Sequence, residues 1–99
     1  MKRVKQKDRS GCGIASAAMI KGQSYDTIKE WWKVVCGGNL NRLNTIGDGL
    51  RKYELKDLLT TIGLENVSVI ETPCIVIVKR KFGKHYVVID EDGKILDPA

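Results

Sequence analysis

A chain of 99 residues holds one compact domain at most, close to the lower size at which a single core suffices without staples. A hydrophobic share of 42% beside 29% charged residues excludes a disordered chain, and no apolar run approaches the length a bilayer span requires. Seventeen Lys and Arg against twelve Asp and Glu leave a net charge of +5, which favours the approach of acidic partners without naming one.

Residues 1–10 read as an extended polar lead-in. Its basic residues (Lys2, Arg3, Lys5, Lys7, Arg9) and the later Ala15-Ser16-Ala17 have the outline of a secretory signal. The intervening Gly-Cys-Gly-Ile is too short and too glycine-rich for the apolar part, so no signal is expected. From Gly11 to about Lys21 the composition predicts a helix that is apolar almost all round and belongs in a core, with Gly22 as its stop. A second helix is expected from near Ser24, with Tyr25, Ile28, Trp31, Trp32 and Val35 at helical spacing and Gly37-Gly38 at its end. Adjacent helix positions diverge by about 100°, so Trp31 and Trp32 cannot both face the core.

The stretch "GGNLNRLNTIGDGL" reads as a turn-rich connection rather than a buried element. A third helix is expected over about Glu54–Ile62, closing at Gly63. The period then changes. Asn66–Ile70, Pro73–Lys79, His85–Glu91 and Lys94–Asp97 read as four short strands, mostly antiparallel, which gives an α+β domain with N-terminal helices packed on a small sheet.

Three cysteines exclude a complete internal disulfide framework and point to a reducing, cytoplasmic setting. With a single histidine and no C-x2-C pair, neither a metal nor another cofactor is expected. Cys74 reads as a core residue and Cys36 as partly exposed. The basic clusters Lys2–Arg9 and Lys79–Lys84 contain one aromatic, Phe82, too few for a nucleic-acid platform.

Cys12 stands where the chain enters the first helix, where unpaired N–H groups and the positive end of the dipole stabilise an anion. A free thiol titrates near ~8.5, and such a position or a neighbouring imidazolium lowers that and makes the sulfur nucleophilic. Gly11 and Gly13 would let the backbone bend sharply there. His85, the only histidine, opens a strand, a rigid support for a general base. Asp97, in "KILDPA", is the carboxylate that would orient the imidazole, and the strand register tests this. A two-residue turn at Asp92-Gly93 would set Asp97 opposite Val88, on the face away from His85. A three-residue loop, Glu91-Asp92-Gly93 with Gly93 left-handed, would set it opposite Val87 and diagonal to His85, about 7–8 Å away at the backbone. The odd-length loop is therefore expected. Asp90 and Asp92 are the alternatives, the first on the wrong face of the strand and the second in the turn. Gln6, six residues before Cys12, has a side-chain amide able to donate to the oxygen that becomes negative when sulfur attacks a carbonyl.

Taken in order, Gln6-x5-Cys12-Gly13, a small-residue helix, "SYDTIKEWW", "LKDLLTTIGL", "PCIVIV" and the closing "HYVVIDEDGKILDPA" resemble the papain-like cysteine peptidases of the bacteriocin-processing, double-glycine leader-peptidase type and their free-standing relatives. The resemblance runs from Gln6 to the last residue. It implies a papain-like fold, with Cys12 as nucleophile, His85 as base, Asp97 as orienting acid and Gln6 as oxyanion donor. The chain departs from the family at Gly11, where an acidic residue is common, and over residues 37–53, which are abbreviated. The implied function is that of a free-standing cytoplasmic thiol hydrolase acting on a peptide or amide bond of a protein or peptide substrate. Relatives on this fold also release ammonia from amides, transfer acyl groups or keep the site as a binding surface. No membrane partner is expected, and dimerisation would lengthen so short a groove. The alternative is a non-enzymatic basic protein that binds protein or nucleic acid through its Lys and Arg clusters.

Overall fold

The computed structural model describes residues 1–44, 49–51, 53–55, 73–80 and 83–99. Helices precede strands, in the order α1 (Cys12–Lys21), α2 (Tyr25–Cys36), α3 (Leu40–Leu43), β1 (Cys74–Arg80), β2 (Gly83–Ile89) and β3 (Ile95–Leu96). The arrangement is α+β, as the change of period from helical to alternating predicts.

Helix α1 is the centre of the molecule and is buried from Gly13 to Met19. Its alanines let α2 approach on one side and β2 on the other, while Ile14 fills the space between them. Helix α2 begins at Ser24, whose Oγ accepts the Thr27 N–H at 3.1 Å, and turns Tyr25, Ile28 and Trp32 inward. Trp32 is fully buried and Trp31 only in part, the divergence expected of neighbours on a helix. Both helices stop at left-handed glycines, Gly22 and Gly37.

The connection after α2 departs from expectation, because it is neither wholly irregular nor wholly outside the core. Asn39 caps the one-turn helix α3, its Oδ1 accepting the Asn41 N–H at 2.9 Å. Leu43 and Leu50 are buried in the main cluster with Tyr25, Ile28, Trp32 and Tyr86. Asparagine read as a loop former thus serves here as a cap, and isolated leucines carry no periodic signal of their burial. Residues 53–55 are helical, in line with a third helix. The rest of that helix and the strand expected at Asn66–Ile70 lie outside the described residues.

Among the described residues the sheet has the order β1-β2-β3, all antiparallel, with Val78 opposite His85 and Val88 opposite Leu96. The Asp90 N–H donates to the Lys94 carbonyl at 2.9 Å, so the loop consists of Glu91, Asp92 and Gly93, and Gly93 takes φ 80°. This is the odd-length connection expected from the sequence. A second apolar cluster, Met19, Val88 and Leu96, seals the sheet against the C-terminal half of α1. Cys74 is half-buried rather than a core residue, since Ile77 and Val78 on the same strand are themselves exposed. No helix among the described residues is long and apolar enough to cross a membrane.

Candidate functional site

Strand register does for His85 and Asp97 what their separation in the sequence could not. Continuing the β2–β3 ladder past Val88↔Leu96 sets Asp97 beside Val87, diagonal to His85. His85 Nε2 lies 2.6 Å from Asp97 Oδ1. The same oxygen accepts the Ala99 N–H at 2.9 Å. An ionised carboxylate only accepts, so Nε2 carries the proton and Nδ1 is the basic nitrogen. The His85 side chain is nearly buried whereas that of Asp97 is 42% exposed, so the pair sits at the edge of the sheet.

The tail that carries Asp97 is tied to the N-terminal lead-in. Arg3 Nε donates to the Asp97 carbonyl at 2.6 Å, and the Arg3 guanidinium also donates to the Ala99 carbonyl. The Gln6 N–H donates to the Pro98 carbonyl at 2.8 Å. Gln6 is thereby set beside the residues that follow Asp97, although 91 positions separate Asp97 from Gln6 in the chain.

Cys12 is the first residue of α1, half-buried, and all three cysteines are thiols. The N-cap of this helix is Gly11, which has no side chain to cap it. The first turn rests on β2: a Cβ at Gly13 would lie 3.3 Å from the Tyr86 ring, and Tyr86 follows His85 on the strand. Burial first, and then the charges of Cys12 and Glu54, push the Tyr86 hydroxyl upward. Tyr86 Oη donates to the Leu50 carbonyl at 3.2 Å.

Gln6 is used differently from the sequence expectation. Its Nε2 donates to the Asp8 carbonyl at 3.0 Å and to the Arg9 carbonyl at 2.8 Å, curling residues 6–9 into a turn ahead of Cys12. Its Oε1 is buried without a hydrogen-bond partner. Reversing the amide would set that oxygen against two carbonyl oxygens, so the nitrogen faces the turn.

Gly11 has ordinary backbone angles, φ −91° and ψ 10°, and sharp bending is not its purpose. A Cβ there would lie 2.0 Å from the Tyr25 hydroxyl. Tyr25 reaches across the glycine to donate to Asp8 Oδ2 at 2.7 Å, and Lys29 Nζ pairs with the same carboxylate at 3.1 Å. Burial alone would raise the Asp8 carboxyl. The hydrogen bonds from Tyr25 and Lys29, with the charges of Lys29 and Lys7, outweigh it and hold Asp8 below the usual carboxylate range.

A second carboxylate holds the other loop around Cys12. Glu54 accepts both Arg42 guanidinium nitrogens, at 2.9 and 2.5 Å, Trp32 Nε1 at 3.3 Å and the Arg51 N–H at 3.1 Å. Burial would raise Glu54, but these donors and the Arg42 charge bring it below its ordinary value. Arg42 also donates to the Gly49 carbonyl at 2.9 Å. Gly49 lies against the Ser10 carbonyl, 2.3 Å from where its Cβ would stand, and Leu50 lies against Gly13, so this loop meets the residues on either side of Cys12. None of Asp8, Tyr25, Arg42 and Glu54 is marked by a local motif. Gly11 and Gly49 are the residues whose missing side chains allow these close approaches.

A cavity of about 460 Å³, floored by Val4, Ala18 and Met19, opens at the other end of α1 and takes no part in this arrangement. Compared with known proteins, the chain matches no family model, no curated protein and no solved structure.

Proposed function

We propose that the chain is a small papain-like thiol hydrolase, a cysteine peptidase that attacks a peptide or amide carbonyl with Cys12. The observation that carries this reading is the 2.6 Å contact between His85 Nε2 and Asp97 Oδ1. It leaves Nδ1 as the imidazole's basic atom on the strand against which the first turn of α1 is packed. The α+β order, with a cysteine-led helix buried on an antiparallel sheet, is compatible with the papain-like fold that the sequence resembles.

In this scheme His85 Nδ1 takes the Cys12 proton and the thiolate forms a bond to the carbonyl carbon. The carbonyl oxygen becomes an oxyanion facing the first-turn N–H groups of α1 and the Gln6 amide. Collapse expels the amine, which leaves with the proton held by His85. Water then attacks the thioester, His85 accepts the water's proton, and the acid departs as the Cys12 thiolate is restored. Asp97 keeps the ring oriented and stabilises its charged form, and it does not itself take the proton. A nucleophilic thiol works only while reduced, which fits a reducing, cytoplasmic setting. The substrate is a protein or peptide, and no metal or cofactor enters any step.

The second reading, a basic interaction protein on the same fold, is favoured by one observation: the Gln6 amide is occupied by its own turn. Iodoacetamide labelling mapped by mass spectrometry separates the two. The hydrolase reading expects fast, selective alkylation of Cys12 that the His85→Ala variant loses. Slow labelling of Cys12 and Cys36 at equal rates would reject it, and salt-sensitive binding to nucleic acid would then support the interaction protein.

A further inference from the structure

Resting on that reading, we propose that Asp8 is a positioning residue, the fixed pivot on which the Gln6 amide turns from its resting contact to the substrate oxygen. Three observations meet at this residue. Its carboxylate is anchored on α2 by Tyr25 and Lys29. Its carbonyl accepts one hydrogen bond from Gln6 Nε2 at 3.0 Å and another from the Gly11 N–H at 3.2 Å. The residue after Gly11 is Cys12. Asp8 therefore links the helix behind the site, the candidate oxyanion donor and the entrance of the nucleophile helix in one connected set of bonds.

Residues 6–11 contain no apolar side chain to hold them in place. Ordering such a segment costs about 1–2 kcal/mol per residue in backbone entropy, so its conformation is imposed from outside. The outside ties include the Asp8 carboxylate on α2, the Gln6 N–H on the Pro98 carbonyl at 2.8 Å, the Ser10 N–H on the Leu43 carbonyl at 2.8 Å and the exposed Lys7–Asp26 pair. Of these, the Asp8 carboxylate is the one on a residue whose own carbonyl accepts from the Gln6 side chain.

The two contacts of the Gln6 amide are unequal. The one to Asp8 ends on an anchored, part-buried residue, whereas the one to Arg9 is exposed and Arg9 lies at the surface of the turn. When a carbonyl substrate occupies the site, the N–H on Arg9 is the one that transfers to the developing oxyanion. The N–H on Asp8 stays in place and keeps the amide aimed. Gly11 belongs to the same device, since any side chain there would displace the Tyr25 hydroxyl that grips Asp8.

The test uses two reagents that demand different things of the site. Iodoacetamide alkylates the thiolate and creates no oxyanion. Acetyl-alaninal adds reversibly: sulfur bonds to the aldehyde carbon and the thiol proton passes to the oxygen, which then occupies the oxyanion position. Both reactions are followed at Cys12 by mass spectrometry, alongside thermal melting. Asp8→Ala and Tyr25→Phe are expected to weaken the aldehyde adduct about tenfold while changing the alkylation rate less than about twofold. Asp8→Asn, which still accepts from Tyr25, recovers most of the loss. Ile28→Val, which loosens α2 from within its apolar face, should lower the melting temperature without changing the ratio of the two reactions. The proposal is overturned if the Asp8 and Tyr25 variants leave the adduct unchanged, or if both reactions fall together as melting does in Ile28→Val. A wild-type Cys12 that reacts no faster than Cys36 with either reagent would instead remove the hydrolase reading, and the pivot with it.

Discussion

The two sides of the candidate site are built by different means. His85 and Asp97 stand on a hydrogen-bonded ladder whose register is set by a three-residue loop and by which face is buried. Among the described residues, the segments that flank Cys12, 6–11 and 49–51, join no ladder. Residues 6–11 and 49–51 are held by side chains that reach backbone groups, gathered by the carboxylates Asp8 and Glu54. A ladder distributes its stability over many equivalent bonds, so one side chain on it is readily spared. A loop held by a buried charge depends on that charge, and removing it strands the partners.

The sharpest break of this contrast is Glu54→Ala, which withdraws the carboxylate from Arg42, Trp32 and the Arg51 N–H at once. We expect a loss of about 3–5 kcal/mol, measured by denaturant unfolding, because a buried ion pair costs most when only one partner is removed. Gly11→Ala should follow, at about 1–3 kcal/mol, since its Cβ would overlap the Tyr25 hydroxyl. Adding Tyr25→Phe should return part of that loss by removing the overlapping atom, and a double variant no better than Gly11→Ala would show that the clash was misplaced.

Acid titration sharpens the same comparison. Asp8 and Glu54 are both held below their ordinary range, so their contribution is fully present above the unfolded carboxylate values, ~3.9 and ~4.3, and is lost as pH falls through the lower folded values. Melting temperature should therefore drop as pH falls below about 4, and the drop should be shallower in the Asp8→Asn, Glu54→Gln double variant. Equal slopes would contradict the assigned role of these carboxylates. The smallest effects belong to the ladder side. Gly93→Ala should cost about 1 kcal/mol for its left-handed angle. Asp97→Ala should barely move melting, its side chain being 42% exposed, yet should remove the selective alkylation of Cys12.

The same division explains what was legible in the sequence. The ladder side was readable because strands repeat every two residues and loop length then fixes the facing side chains. Two loop lengths were open around Gly93, and the three-residue one was expected because it alone would set Asp97 diagonal to His85. Helices α1 and α2 were readable from composition, spacing, the Ser24 cap and the closing glycines. The Cys12 side was not, because Tyr25 and Asp8 are 17 residues apart with no shared period, and Gly11 looked like a hinge when its value is the space it leaves. Leu43 and Leu50 were missed because single buried leucines in a polar stretch show no pattern. Gln6 was found as a polar residue at a telling distance from Cys12, but its resting partners are carbonyls of its own turn, which spacing alone does not reveal.

The central claim is that Cys12 and the imidazole oriented by Asp97 work as one unit. Ultraviolet absorbance of the thiolate, followed against pH in the wild type, Cys12→Ser and His85→Ala, tests it without any need for a substrate. The account predicts a thiolate signal already present at about pH 6, well under the ~8.5 of an ordinary thiol, absent from Cys12→Ser and strongly reduced in His85→Ala. A signal that appears only in the ordinary thiol range and is the same in wild type and His85→Ala would contradict it.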